Sequence, residues 1–279
     1  MQLLKSIIKT ILPAAVLGVV FFVCMGVMSH ADKIDKTVLE EGRNWAEAQD
    51  SENTELVEKT IKEQAAIKKT ASLTAEKEAL QKGEVDVWSL FQDFAILGDS
   101  RAVGFWYFDF LPETRVFAEG GYKISNIPEF YENIRILNPS GVFLCFGLND
   151  VMSEYWETPE DYVAEFREIL ADMQENFPDM TIYVNSIFPA LDPAFDLSTK
   201  LYEIPDYSKA VGEMCAELDI PFVNNDTVFE QHKDLVDIDG IHFTPPMYPY
   251  WAENMMLTVY DHLAKEKLNE ELSRDDAGQ

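Results

Sequence analysis

The sequence predicts a three-layer α/β/α sandwich around a parallel sheet, preceded by a transmembrane helix and a helical stalk. Three observations predict it. Short apolar runs of strand length alternate with helical stretches between Phe94 and His262, and such alternation builds a parallel sheet covered on both faces. An uncharged apolar run, Ile11 to Met28, lies near the N-terminus. A Glu-, Lys- and Ala-rich stretch without proline separates it from the alternating region.

Lys5 and Lys9 precede the apolar run, which Ile7 and Ile8 extend. At about 1.5 Å per residue it reaches about 27 Å, close to the hydrocarbon thickness of a bilayer. Residues 1–31 are therefore expected to form an uncleaved anchor. Ser29-His30-Ala31 would suit signal cleavage and secretion, but the run exceeds the roughly 7–15 apolar residues of a signal peptide. Lys33, Lys36 and Arg43 follow the run, so basic residues flank both ends and their count does not orient it. The expected placement of the domain outside the cytoplasm, with the N-terminus inside, rests on the single N-terminal segment and its short head.

Residues 32–86 read as a helical stalk: Leu56, Val57, Ile61, Ala65 and Lys68 recur at helical spacing. A dimerising or partner-binding helix is the alternative. Residues 87–266 carry the alternation. Phe94 to Leu97, Thr114 to Ala118, Gly141 to Phe146, Thr181 to Val184 and Pro221 to Val223 are the expected strands. The clearest helix is Pro159 to Phe177, with Tyr162, Phe166, Ile169, Leu170 and Met173 on one stripe and Pro178 closing it. Residues 267–279 are expected to be a polar, frayed tail.

Composition excludes one class of partner. Fifty acidic residues against 22 basic ones give a net charge of −28, whereas nucleic-acid binding needs clustered Lys and Arg. The three cysteines lie in the apolar run, a strand and a helix, which is no disulfide framework. Metal-ligand spacings and a Gly-rich phosphate loop are lacking too, so no metal and no cofactor is expected.

Four short motifs carry chemistry. Gly98-Asp99-Ser100 follows the first strand, Gly120-Gly121 the second, and Gly147-Leu148-Asn149-Asp150 the third; Asp239-Gly240-Ile241-His242 lies in a late loop. Ligands of parallel sheets bind at such strand ends. Ser100 is a nucleophile only if an adjacent base takes its proton. His242 can be that base, with Asp239, three residues earlier, fixing its tautomer. Gly121, Asn149 and the Ser100 N–H are candidate oxyanion donors. The elbow Gly-x-Ser-x-Gly of the α/β-hydrolases is not present.

In this order the motifs resemble those of the SGNH/GDSL hydrolases, from about Phe94 to about His262. The resemblance implies a flavodoxin-like sheet and a Ser100–His242–Asp239 triad, with Ser100, Gly121 and Asn149 in the oxyanion hole. Gly121 rather than Gly120 matches the family's oxyanion glycine. The implied activity is hydrolysis or transfer of short acyl groups through an acyl-enzyme. The expected substrate is an ester-bearing carbohydrate or small acyl ester, with O-acetyl groups of envelope polysaccharide foremost. A lipase or lysophospholipase and a non-catalytic binding module on a stalk are the alternatives. The chain departs from the family pattern at Arg101, where Leu is usual, and at Phe243, where Pro is common. Arg101 is a candidate contact for an anionic substrate group, and Trp106, in the aromatic run Phe105 to Phe110, for a sugar ring.

Overall fold

The apolar runs form five parallel strands: β1 (Phe94–Gly98), β2 (Val116–Ala118), β3 (Gly141–Cys145), β4 (Thr181–Asn185) and β5 (Phe222–Val223). Their order is β2-β1-β3-β4-β5, with every pairing parallel. The structure is a computed structural model describing residues 69–153 and 155–276, with residues 40, 43, 44, 54, 57 and 60. The expected anchor and most of the expected stalk lie outside the described residues. Among the described residues no helix is long and apolar enough to cross a membrane. The chain divides into units Met1–Ala65 and Ala66–Gln279, and the sheet lies in the second.

Side chains alternate across a strand, and here both sides are buried. Ala95, Leu97, Val142, Leu144, Ile182 and Val184 enter one apolar cluster, while Ile96, Phe143, Cys145, Tyr183 and Val223 enter the other. Helix α1 spans residues 69–81. The others are α2 (Ser100–Tyr107), α3 (Tyr131–Leu137), α4 (Leu148–Met152), α5 (Pro159–Asn176), α6 (Ile204–Glu217), α7 (Asp226–Gln231) and α8 (Met247–Asp276). The first cluster takes apolar residues of α3, α5 and α6, and the second takes those of α2 and α8. Three layers result.

Local sequence explains the boundaries. Thr158 caps α5 by accepting from the Asp161 N–H at 3.2 Å, and Pro159 occupies the first turn, where its missing N–H costs nothing. Tyr162, Phe166, Leu170 and Met173 are buried as the stripe requires. Strand β2 begins two residues later than expected, because Glu113–Arg115 close a turn in which the Arg115 N–H donates to the Pro112 carbonyl. Helix α8 runs to Asp276, into the expected tail, whose Glu, Lys and Leu residues are good helix formers. From α1, Leu80 enters the second cluster and Lys77 pairs with Asp261 of α8.

Candidate active site

The candidate nucleophile, Ser100, is positioned by the end of β1. The Asp99 carboxylate caps α2, accepting the Arg101 N–H at 3.0 Å, so Ser100 begins the helix. Gly98 is required there: a Cβ would lie 2.4 Å from the Ala102 Cβ and 2.8 Å from the Cys145 carbonyl oxygen. Any larger residue would push α2 off the sheet, carrying Ser100 with it.

The candidate base, His242, lies in the loop between α7 and α8. Asp239 Oδ1 accepts the N–H groups of Ile241 (2.8 Å) and His242 (2.9 Å), and its Oδ2 lies 2.6 Å from His242 Nδ1. His242 Nε2 lies 2.9 Å from Ser100 Oγ. Partial burial opposes ionisation of Asp239. The bonds from the His242 ring and the two backbone N–H groups outweigh it and hold the carboxyl below its ordinary value. An ionised Asp239 fixes His242 with Nδ1 as donor, leaving Nε2 free to accept the serine proton. The three residues predicted as nucleophile, base and orienting acid therefore meet in one line of contacts.

Gly240, between Asp239 and His242, was not singled out from the sequence. Its φ is +75°, and a Cβ there would stand 2.1 Å from the Leu191 carbonyl oxygen. The Leu191 N–H in turn donates to the Gly240 carbonyl at 2.8 Å. The base loop thus lies flat on the loop after β4. The signal was its place within the motif itself.

The candidate oxyanion donors Gly121 and Asn149 follow β2 and β3, the two neighbours of β1 in the sheet. Gly98 of β1 is in register with Cys145 of β3, and Asn149 follows β3 on α4, so both groups rise from adjacent strand ends. Asn149 Nδ2 donates to the Tyr122 carbonyl at 3.0 Å. One of its two amide hydrogens is spent on this bond and the other remains for a ligand. Gly121 precedes Tyr122 in the exposed loop after β2, with φ +80°. Asp150 Oδ1 accepts the Ile124 N–H at 3.0 Å, so neighbouring α4 residues staple that loop at two points.

One predicted contact, that of Arg101, is corrected by burial. Arg101 is only 3% exposed, and its guanidinium donates to backbone carbonyls of Ile241, Phe188 and Pro189, so it does not meet a substrate anion. Within the aromatic run Phe105 is core, packing on Tyr248 and Trp251, while Phe110 is half-buried and stacks on Trp88. Trp106 lines a cleft along the outer edge of β2, beside Val116, Glu119, Tyr122 and Phe130. Among the described residues no cluster of three His, Cys, Asp or Glu side chains is placed to hold a metal ion.

Buried carboxyls beneath the site give a pH prediction. Burial pushes Asp99 up to about 6 and Asp150 up to about 7, against the pull of backbone N–H bonds on both and of Arg101 on Asp99. Among the described residues Asp150 Oδ2 has no hydrogen-bond partner. Unfolded carboxyls titrate near ~4. From about pH 4 to 7 the folded chain therefore holds a proton that the unfolded chain releases, and the contribution to stability is lost as pH rises. Asp150→Asn keeps an acceptor for Ile124 and removes this cost, which is on the order of 2–4 kcal/mol at pH 8. Its melting temperature relative to wild type should climb by roughly 5–10 °C between pH 5 and pH 8; a pH-independent difference would refute the assignment.

The GDSL-like lipase/acylhydrolase family model matches residues 96–249, just over half of the chain. No curated protein matches. Similar solved structures include a GDSL-like lipase from Parabacteroides merdae, at 19% identity over 60% of this chain and 95% of that one, TM-score 0.51. Another GDSL-like lipase, from Bacteroides thetaiotaomicron, is 13% identical over 68% of this chain and 98% of its own, TM-score 0.49. Axe2, an acetylxylan esterase from Geobacillus stearothermophilus, is 15% identical over 60% and 93%, TM-score 0.46. At these identities the likeness concerns the fold alone.

Proposed function

Because the chain belongs to the GDSL-like lipase/acylhydrolase family, we propose that it is a serine esterase that removes short acyl groups, acetyl foremost, from hydroxyls of an envelope carbohydrate. The observation that carries the chemistry is the unbroken chain from Ser100 Oγ to His242 Nε2 (2.9 Å) and from His242 Nδ1 to Asp239 Oδ2 (2.6 Å). Ser100 Oγ attacks the ester carbonyl as His242 takes its proton. The tetrahedral oxyanion is met by the Ser100 N–H, the Gly121 N–H and the Asn149 amide. His242 returns the proton to the leaving alcohol, and a water activated by the same imidazole releases the acid.

The Asp239 and His242 side chains are each 43% exposed, an open arrangement that leaves the alcohol side free to be large. The apolar run Ile11 to Met28 supports placing the domain outside the membrane on an anchor.

One observation favours a lipid ester instead. Ile238, next to Asp239, is 90% exposed, and Leu197, in the segment after β4, is 67% exposed. The two readings separate in one series. Hydrolysis of p-nitrophenyl esters should slow from acetate through butyrate to octanoate, and phospholipid vesicles should yield no fatty acid. Faster turnover of longer chains, or fatty-acid release, would transfer the assignment to a lipase.

A further inference from the structure

We propose that Arg101 is a positioning residue that seats His242 on Ser100, by fastening the first turn of the nucleophile helix to the two loops that carry and back the imidazole. The proposal rests on the serine-esterase reading above.

The contacts define a clamp. Arg101 follows Ser100 directly. Its Nε donates to the Ile241 carbonyl at 2.9 Å, its Nη1 to the Phe188 carbonyl at 2.6 Å and its Nη2 to the Pro189 carbonyl at 3.3 Å. Its guanidinium carbon lies 5.4 Å from the centre of the Phe243 ring. Ile241 and Phe243 are the two neighbours of His242, so one side chain grips the base loop on both sides of the imidazole. Phe243 in turn packs edge-on against Phe188, at 4.9 Å between ring centres. The main chain of Arg101 is held as firmly: its N–H is bound by Asp99, and its carbonyl accepts the Tyr248 hydroxyl at 2.9 Å.

Only an arginine fills this place. Three carbonyls from two loops fan around the group, and a planar fork with five N–H donors matches them where an ammonium cannot. Burial draws the guanidinium down only to about 10, so it stays charged at neutral pH. The two positions where the sequence departs from the family pattern, Arg101 and Phe243, thus face each other in one contact.

A misplacement of about 1 Å in a reacting group costs roughly 10²-fold, which sets the expected effect. Arg101→Met should lower kcat for p-nitrophenyl acetate about 10²-fold with KM within about threefold. Phosphonylation of Ser100 by a fluorophosphonate should slow in parallel, and the low-field proton resonance of the His242–Asp239 bond should broaden or vanish. Arg101→Lys should fall between, near a tenfold loss. That resonance and the phosphonylation rate are read without any natural substrate, so they decide the clamp even if no ester proves to be hydrolysed well. Wild-type kcat in Arg101→Met, or a raised KM with kcat unchanged, overturns the proposal. Should Arg101→Met fail to fold, Arg101→Lys decides on the same measurements: wild-type behaviour, or failure to fold in its turn, overturns it too.

Discussion

Ser100→Ala should lower kcat for p-nitrophenyl acetate by roughly 10⁴–10⁶-fold, and His242→Ala should fall in the same range. The reason is the single hydrogen bond at 2.9 Å between Nε2 and Oγ. Without Oγ there is no acyl-enzyme, and without the imidazole the hydroxyl keeps its proton. Because the two act as one unit, the double variant should lose little more than either single one. Residual rate over water would come from the oxyanion donors and binding alone. Ser100 is the first residue of α2, capped by Asp99 rather than by itself, so its removal leaves the helix start intact. Circular dichroism and melting temperature should match wild type, while labelling by a fluorophosphonate disappears. Ser100→Ala retaining a tenth of wild-type activity would end the serine mechanism. A wild-type chain inert to every ester and to the fluorophosphonate would leave the binding-module reading.

Much of this site was legible in the sequence because each motif ends a strand. A run such as Phe94 to Leu97, ending at Gly98 and followed by helical stretches, reads as a strand buried on both faces, and the parallel order then brings residues after β1, β2 and β3 to one edge. Ser100, Asn149 and Gly121 are read from the motifs that follow those strands, taken together with the resemblance to the SGNH/GDSL pattern. Asp239 and His242 followed from a spacing of three residues within one turn. Arg101 did not, because its role depends on carbonyls of Phe188, Pro189 and Ile241, which lie about ninety and 140 positions away. Backbone acceptors carry no sequence signature. A charged residue beside a nucleophile looks like a substrate contact until its burial is known. Gly240 escaped for a similar reason: what forbids a side chain there is the Leu191 carbonyl, supplied by a loop with no motif of its own. The start of β2 was missed because the backbone turn at Pro112 overrides the strand preference of Thr114.

Asp239→Asn should reduce kcat about 10⁴-fold while leaving the fold in place. The carboxylate does two tasks with two oxygens. Oδ1 takes the N–H groups of Ile241 and His242 and so shapes the loop, while Oδ2 faces Nδ1 of the imidazole. An asparagine whose oxygen keeps the two backbone bonds turns its NH₂ toward the ring. Nδ1 must then accept, which moves the ring proton to Nε2 and points a donor at Ser100 Oγ. The base has become an acid in the wrong place, and the serine proton has nowhere to go. Loop geometry survives, so the melting temperature should stay within a few degrees of wild type and the 2.9 Å approach of the imidazole to Ser100 should persist. Asp239→Ala removes both oxygens and should cost stability as well as activity, since two N–H groups lose their acceptor. The pair of variants therefore separates orientation from architecture. If Asp239→Asn kept kcat within tenfold of wild type, another group would have to set the tautomer, and the 2.6 Å contact would be no more than a loop staple.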